Sequence, residues 1–273
     1  MQRRILFALL ILLFLAMGLL FRNRWINRVQ QEVLGMVRQK ADFSNAAFIR
    51  PGLLHDGHHI YSLKGIDRLW PHRVNSMQRL RYLYPYFAGF ECDIRFDGRS
   101  GQLFVAHEAV EINSLVFSDY LGPLDRFRKL FWLDIKNLDS LNLGLFCSAL
   151  EQLDQRYKIK DRVILESPNA SALDQLNKSG WLCSLYLPSD LSEGPEVKND
   201  RIENINDFLR KNTGLISEDI RMHRLMTEKF PHAKQLIWDI RFFDSINKNL
   251  LLNLANDTTL LVCLINIKSP GYR

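Results

Sequence analysis

No two of the four cysteines, Cys92, Cys147, Cys183 and Cys263, stand close enough to form a CxxC pair. That absence excludes a recognisable zinc motif or disulfide framework, and since each thiol lies in an apolar stretch, free buried cysteines are expected. No glycine-rich GxGxxG or GxxxxGK[ST] loop follows any β-rich run, which counts against a doubly wound open sheet. There is no basic stripe interleaved with aromatics, which argues against a nucleic-acid partner. No internal repeat or low-complexity tract stands out, and once the N-terminus is set aside the length suits one large α/β domain better than two small ones.

What is present begins with an uncharged run, residues 5–21, "ILFALLILLFLAMGLLF". It lies at the short end of the roughly 17–25 residues that span a bilayer. Trp25 follows where interfacial aromatics collect, and Arg3, Arg4, Arg22, Arg24 and Arg28 carry much of the net charge of +6. A cleavable signal peptide would use Ala16-Met17-Gly18 as its small-residue site. The apolar run continues past that point through Leu19, Leu20 and Phe21, which favours an uncleaved signal anchor over residues 1–24 and a single-pass membrane protein. Arginines flank both ends of the run, so orientation is weakly set, with the extracytoplasmic side slightly favoured for the main domain. Residues 25–64 read as an amphipathic juxtamembrane helix followed by the loop "FIRPGLLHDGHH".

From residue 65 to 273 a strand–helix rhythm takes over. The β-rich runs are "RLWPHRVNS", "FAGFECDIRF", "QLFVAHE", "LFWLDIKN", "RVILESPN", "WLCSLYLP", a weak "GLIS", "QLIWDIRF" and "TLLVCLINI". Helical patterns separate most of them, at 138–157, 169–180, 201–212 and 242–256. Several of the strands are near-continuous apolar runs, as parallel strands covered on both faces should be. Seven or eight such units predict an α/β fold, a compact (β/α)₈ TIM barrel, with a doubly wound open sheet as the alternative.

In a barrel of this kind the reactive groups sit at the carboxyl ends of the strands. Polar residues collect there: His72 and Arg73, then Glu91 and Asp93, His107 and Glu108, Asp134 and Lys136, and Glu166 with Ser167. Glu91 and Asp93 are two apart on one strand and so share a face, as do Asp134 and Lys136. Buried carboxylates are costly unless paired or metal-bound. An ion-pair network with Arg95 or Lys136 is one reading. The other is a hard divalent cation, Mg²⁺ or Ca²⁺, held by Glu91, Asp93 and Asp134. Two histidines could then move the protons that breaking a phosphodiester requires, with Arg73 and Lys136 on phosphate oxygens. Asn75, Ser184 and Tyr186 stand at strand ends where they could line the pocket.

These residues resemble the glycerophosphodiester phosphodiesterase-like superfamily, through "HRVNS" at 72–76, "FECDIRFDGRSGQLFVAHE" at 90–108 and "FWLDIKN" at 131–137. The resemblance implies a TIM barrel. It implies His72 and His107 as the acid/base pair, Glu91, Asp93 and Asp134 as metal ligands, and Lys136 as a phosphate or carboxylate contact. "LIWDIRF" resembles the family's tryptophan-bearing seventh strand, which places Trp238 beside Arg73, Lys136, Asn75 and Glu166 among the substrate-binding residues. Glycerophosphodiesterases usually show HRG with Glu-Asn-Thr several residues later. Here Val74-Asn75-Ser76 follow at once, a form closer to the phospholipase-D toxin and menorin-like branches. The expected function is a membrane-anchored, metal-dependent phosphodiesterase acting on a glycerophosphodiester or phospholipid headgroup, by hydrolysis or by cyclisation. Its rival is a non-catalytic, membrane-tethered binding protein on a degenerate barrel. A catalytic histidine among His55, His58 and His59 is an alternative, and a metal-free glycosidase would leave both histidines unexplained.

Overall fold

The computed structural model describes residues 60–84, 86–109, 115–122, 129–187, 195–211, 214–238, 253–254 and 256–266. The expected anchor, the juxtamembrane helix, the loop carrying His55, His58 and His59, and most of the helix read over 242–256 lie outside the described residues. Among the described residues no helix is long and apolar enough to cross a membrane.

Nine strands form one sheet: β1 Leu69–Pro71, β2 Gly89–Asp97, β3 Gln102–Val105, β4 Leu130–Ile135, β5 Val163–Ser167, β6 Leu182–Tyr186, β7 Leu215–Asp219, β8 Lys234–Trp238 and β9 Leu260–Ile265. Their spatial order is β1-β9-β8-β7-β6-β5-β4-β2-β3. Every ladder is parallel except that between β2 and β3. With β3 set aside, the strands follow one another in chain order around a curled, barrel-like sheet. The run "QLFVAHE" therefore does not supply a barrel strand. It forms the antiparallel β3, which folds back along β2, and the weak "GLIS" supplies β7 instead.

The ends of the sheet meet at β1 and β2, where the chain just past β1 makes the joint. Val74 N–H donates to the Glu91 carbonyl at 2.9 Å, and Arg73 N–H donates to Glu91 Oε2 at 2.5 Å. Gly89 opens β2 beside the indole of Trp70, where a Cβ would lie less than 3.0 Å from three ring atoms. Only the residue without a side chain lets β1 and β2 approach this closely.

Strand periodicity sorts the core into two layers. Trp70, Trp132, Ile164, Leu215, Leu236, Val262 and Leu264 pack together on the inner face, joined by Ile60 and Leu63 from the chain preceding β1. Phe90, Cys92, Phe131, Leu133, Leu165, Cys183, Ile216 and Ile237 face outward into the layer covered by helices. All four cysteines are free; Cys147 is half-buried, unlike the other three, because it lies on a helix flank rather than in a strand.

The helices are α1 Met77–Leu83, α2 Phe117–Leu121, α3 Leu143–Tyr157, α4 Ala170–Lys178, α5 Pro195–Lys211 and α6 His223–Lys229. Ser76 Oγ caps α1 by accepting from Arg79 N–H, and Asn169 caps α4 by accepting from Ala172 N–H. The start of α3 falls later than the sequence pattern suggests. Asp139 Oδ1 accepts from the N–H groups of Leu141 and Asn142, which holds that segment in a turn first.

Replacing Gly89 by Ala should cost about 1–3 kcal/mol, the usual range for overpacking a well-filled site. Chemical denaturation of the variant beside wild type checks it, and an unchanged midpoint would mean the Trp70 contact is not close.

Candidate metal and phosphate site

The parallel register carries the acidic residues to one place. Glu91 lies opposite Trp132, Asp93 opposite Asp134, Asp134 opposite Glu166, and Glu166 opposite Ser184. Since Trp132 faces the interior, so do all of these, with Asp93, Asp134 and Glu166 near the carboxyl ends of the paired stretches of β2, β4 and β5. Glu91, Asp93 and Asp134 each bring a carboxylate oxygen within 4.8 Å of the others. Glu91 is 1% exposed and Asp93 2%. Such a concentration of negative charge in a dry setting requires compensation.

Part of it comes from Lys136, whose Nζ lies 2.7 Å from Asp93 Oδ1 and 2.5 Å from Asp134 Oδ2. Asn75 adds a reciprocal pair, its Nδ2 donating to Asp93 Oδ2 at 2.5 Å and its Oδ1 accepting from Asp93 N–H at 3.0 Å. Burial works to raise the Asp93 carboxyl, but the Lys136 charge and these hydrogen bonds outweigh it and hold the group below its usual range. Asp134 goes the other way: burial, helped by the charge of Asp93, lifts it despite Lys136. Glu91 is lifted well above the carboxylate range by burial and by repulsion from Asp93 and Asp134. Its Oε1 is buried and has no hydrogen-bond partner.

That oxygen tests whether a cation suits the site. Three carboxylates converge, two of them are pushed toward the protonated form, and one oxygen is left bare. An oxygen-only donor set of this kind fits a hard divalent ion, with water and substrate oxygens filling the remaining positions. Glu91, Asp93 and Asp134 are the residues that would hold it.

Both histidines flank this group. His72 follows β1, and its Nε2 is 3.6 Å from Glu91 Oε2. Its Nδ1 donates to Asn266 Oδ1 at 3.1 Å, just past the end of β9. Burial, then the charge of Arg73, lowers its pKa to about 4, so the ring is neutral at pH 7. The carbonyl of His72 accepts from the buried Arg79 guanidinium at 2.9 Å. Arg73 takes a left-handed conformation with φ 54. This costs a non-glycine residue about 1–2 kcal/mol, and the bonds of Arg73 and Val74 to Glu91 hold it there. His107 arrives from the other side, after β3. Ala106 N–H donates to the Asp93 carbonyl at 3.0 Å, and Arg95 Nε donates to the His107 carbonyl at 2.9 Å. The His107 ring is half exposed, with Nδ1 2.7 Å from Glu108 Oε1.

The remaining sequence-predicted residues occupy the interior wall. Glu166 is buried, accepts from Trp132 Nε1 and is raised well above its usual range by burial and by Asp134. Trp238 stacks on Tyr186 with ring centroids 5.9 Å apart and planes 6° from parallel. Ser184 Oγ and Trp238 Nε1 are buried without a hydrogen-bond partner. Asn266 and Arg79 escape sequence reading. Asn266 stands near residue 266, where nothing local marks it as the partner of a residue near 72, and Arg79 reads as an ordinary polar residue of a short helix.

The fold and site together define a barrel with an acidic centre at the carboxyl ends of its strands and a histidine on each side. Solved structures share this fold. A protein from Silicibacter pomeroyi assigned as a glycerophosphoryl diester phosphodiesterase matches with a TM-score of 0.50 and 11% identity, over 73% of this chain and 90% of that one. A protein from Galdieria sulphuraria assigned as a glycerophosphodiester phosphodiesterase matches at 0.51 and 12% identity, over 75% and 95%. A phosphodiesterase from Oleispira antarctica, solved with its product sn-glycerol-3-phosphate, matches at 0.51 and 12% identity, over 75% and 94%. The chain has the fold of the glycerophosphodiester phosphodiesterase structures. No protein-family model and no curated protein matches its sequence.

Glu91→Gln should stabilise the protein in EDTA. In wild type the unfolded carboxyl titrates near 4.5 and the folded one well above it, so its penalty is absent below 4.5 and grows as pH rises. The variant's advantage in thermal midpoint should therefore widen above pH 4.5. An advantage independent of pH would remove the repulsion account.

Proposed function

We propose that this chain is a divalent-metal-dependent phosphodiesterase that cleaves a glycerophosphodiester or a phospholipid headgroup. The observation that carries this reading is the convergence of Glu91, Asp93 and Asp134 within 4.8 Å, with one Glu91 oxygen buried and without a hydrogen bond and His72 beside Glu91. The fold it shares with a phosphodiesterase holding sn-glycerol-3-phosphate supports a glycerol-phosphate product.

When bound, a divalent ion supplies charge to polarise a phosphoryl oxygen. The protein's own groups do the rest. Asn75 fixes Asp93, and Arg73 N–H fixes Glu91, so the oxygens facing the substrate are set before it arrives. His72 donates through Nδ1 to Asn266, which leaves Nε2 with the lone pair, and the ring is neutral. It is suited to take the proton of the attacking hydroxyl, whether of water or of the substrate itself. His107, half exposed at the mouth, is suited to protonate the leaving oxygen. Arg73 and Lys136 would meet the non-bridging oxygens, and Glu166 and the Tyr186–Trp238 pair would line the headgroup side.

The uncharged run over 5–21, with arginines at both ends, supports a membrane anchor that keeps this activity near a lipid surface, on the extracytoplasmic side in our reading. Residue 60 begins the described chain among the inner-face apolar residues, so the segment between anchor and barrel would act as the tether.

The test is turnover of a panel of glycerophosphodiesters and lysophospholipids by the full chain in detergent micelles, with Mg²⁺, Ca²⁺ or EDTA. EDTA and Asp93→Ala should each abolish activity, and His107→Ala should lower kcat by about 10²–10⁴ with an unchanged thermal midpoint. Full activity in EDTA would refute the metal requirement. Absence of both turnover and metal binding would favour the tethered binding protein.

A further inference from the structure

Lys136 stands against two of the three candidate metal ligands. Its Nζ bridges Asp93 Oδ1 at 2.7 Å and Asp134 Oδ2 at 2.5 Å, and these are two of the three carboxylates that converge within 4.8 Å. The second oxygen of Asp93 already accepts from Asn75. Glu91 Oε2 already accepts from Arg73 N–H, while its Oε1 is bare. An ammonium drawing on both aspartates therefore neutralises part of the site from within and leaves Glu91 as the residue short of a partner.

From this we infer that Lys136 is a built-in counter-cation, competing with the divalent ion for Asp93 and Asp134. The inference rests on the metal reading above and goes beyond it, because it assigns the lysine a role before any substrate arrives. Two cations cannot both draw fully on the same pair of carboxylates, and like charges held a few ångströms apart in this partly buried setting repel. Metal entry must weaken the grip of the aspartates on Nζ. The freed ammonium is then available to an anionic oxygen of the substrate, so loading the ion and readying the phosphate contact become one event. In the ion's absence the lysine keeps the carboxylates from repelling one another apart.

Isothermal titration of Ca²⁺ and Mg²⁺ into the full chain in detergent micelles, without substrate, reads this directly. Lys136→Met should bind the ion at least about tenfold more tightly than wild type, the low end of the one to three decades by which a neighbouring charge shifts an ionisation equilibrium. Lys136→Gln, which keeps a hydrogen-bond donor without the charge, should follow it. Thermal melting supplies a second readout: each variant should melt below wild type in EDTA and recover to wild type or above in Ca²⁺. Affinity that is equal or weaker in both variants would overturn the competition while leaving the metal site intact. No ion binding by wild type or either variant would overturn the metal reading itself, and the competition with it.

Discussion

Three carboxylates within 4.8 Å of one another, two of them almost fully buried, are the constraint on which the upper half of this barrel is built. Left alone, such a group would repel itself apart or take up protons. The surrounding structure answers each charge separately. Lys136 meets Asp93 and Asp134, Asn75 brackets Asp93 from the amide and the carboxylate side, and the turn after β1 gives Glu91 a backbone N–H. The answer is incomplete, since one oxygen of Glu91 is buried with no hydrogen bond.

Three departures from a regular barrel fall around this group. β1 and β2 share no ladder, and the joint between them is made by Arg73 and Val74 bonding to Glu91. The same joint bends the backbone at Arg73 into a left-handed conformation. That bend sets His72 beside the acidic group, where Asn266 and Arg79 hold its ring and its carbonyl. On the other side, β3 reverses the chain along β2 and returns His107 to the mouth. Strain and irregular pairing are thus spent where two histidines must face one set of carboxylates from opposite sides.

A gradient of polarity runs through the interior. Trp70, Trp132, Ile164, Leu215 and Leu236 fill the inner face. Toward the carboxyl ends of the strands the same face changes to Glu91, Asp93, Asp134, Glu166 and Ser184. Trp132 links the two zones, packing in the apolar cluster while its indole N–H donates to Glu166. The apolar floor keeps Glu91, Asp93, Glu166 and Ser184 from water, which strengthens the charges held there, while Asp134 and Lys136 are partly exposed.

Much of this was legible along the chain. Near-continuous apolar runs marked the parallel strands because both their faces are buried, and the spacing of Glu91 and Asp93 placed them on one face because side chains alternate in a strand. Local pattern also carried the helix read over 169–180, observed as α4 Ala170–Lys178. What the chain order could not contain is register. Asp93 meets Asp134, and Glu166 meets Ser184, only because parallel strands pair with a particular offset. "QLFVAHE" has the composition of a barrel strand, and only the turn before it decided that it pairs backwards with β2. The partnership of His72 with Asn266 spans nearly the whole described chain. Residue types and their faces are local properties and can be read in sequence. Which charges share an oxygen, and which oxygen is left bare, depends on closing the sheet on itself, and the tertiary structure alone decided that.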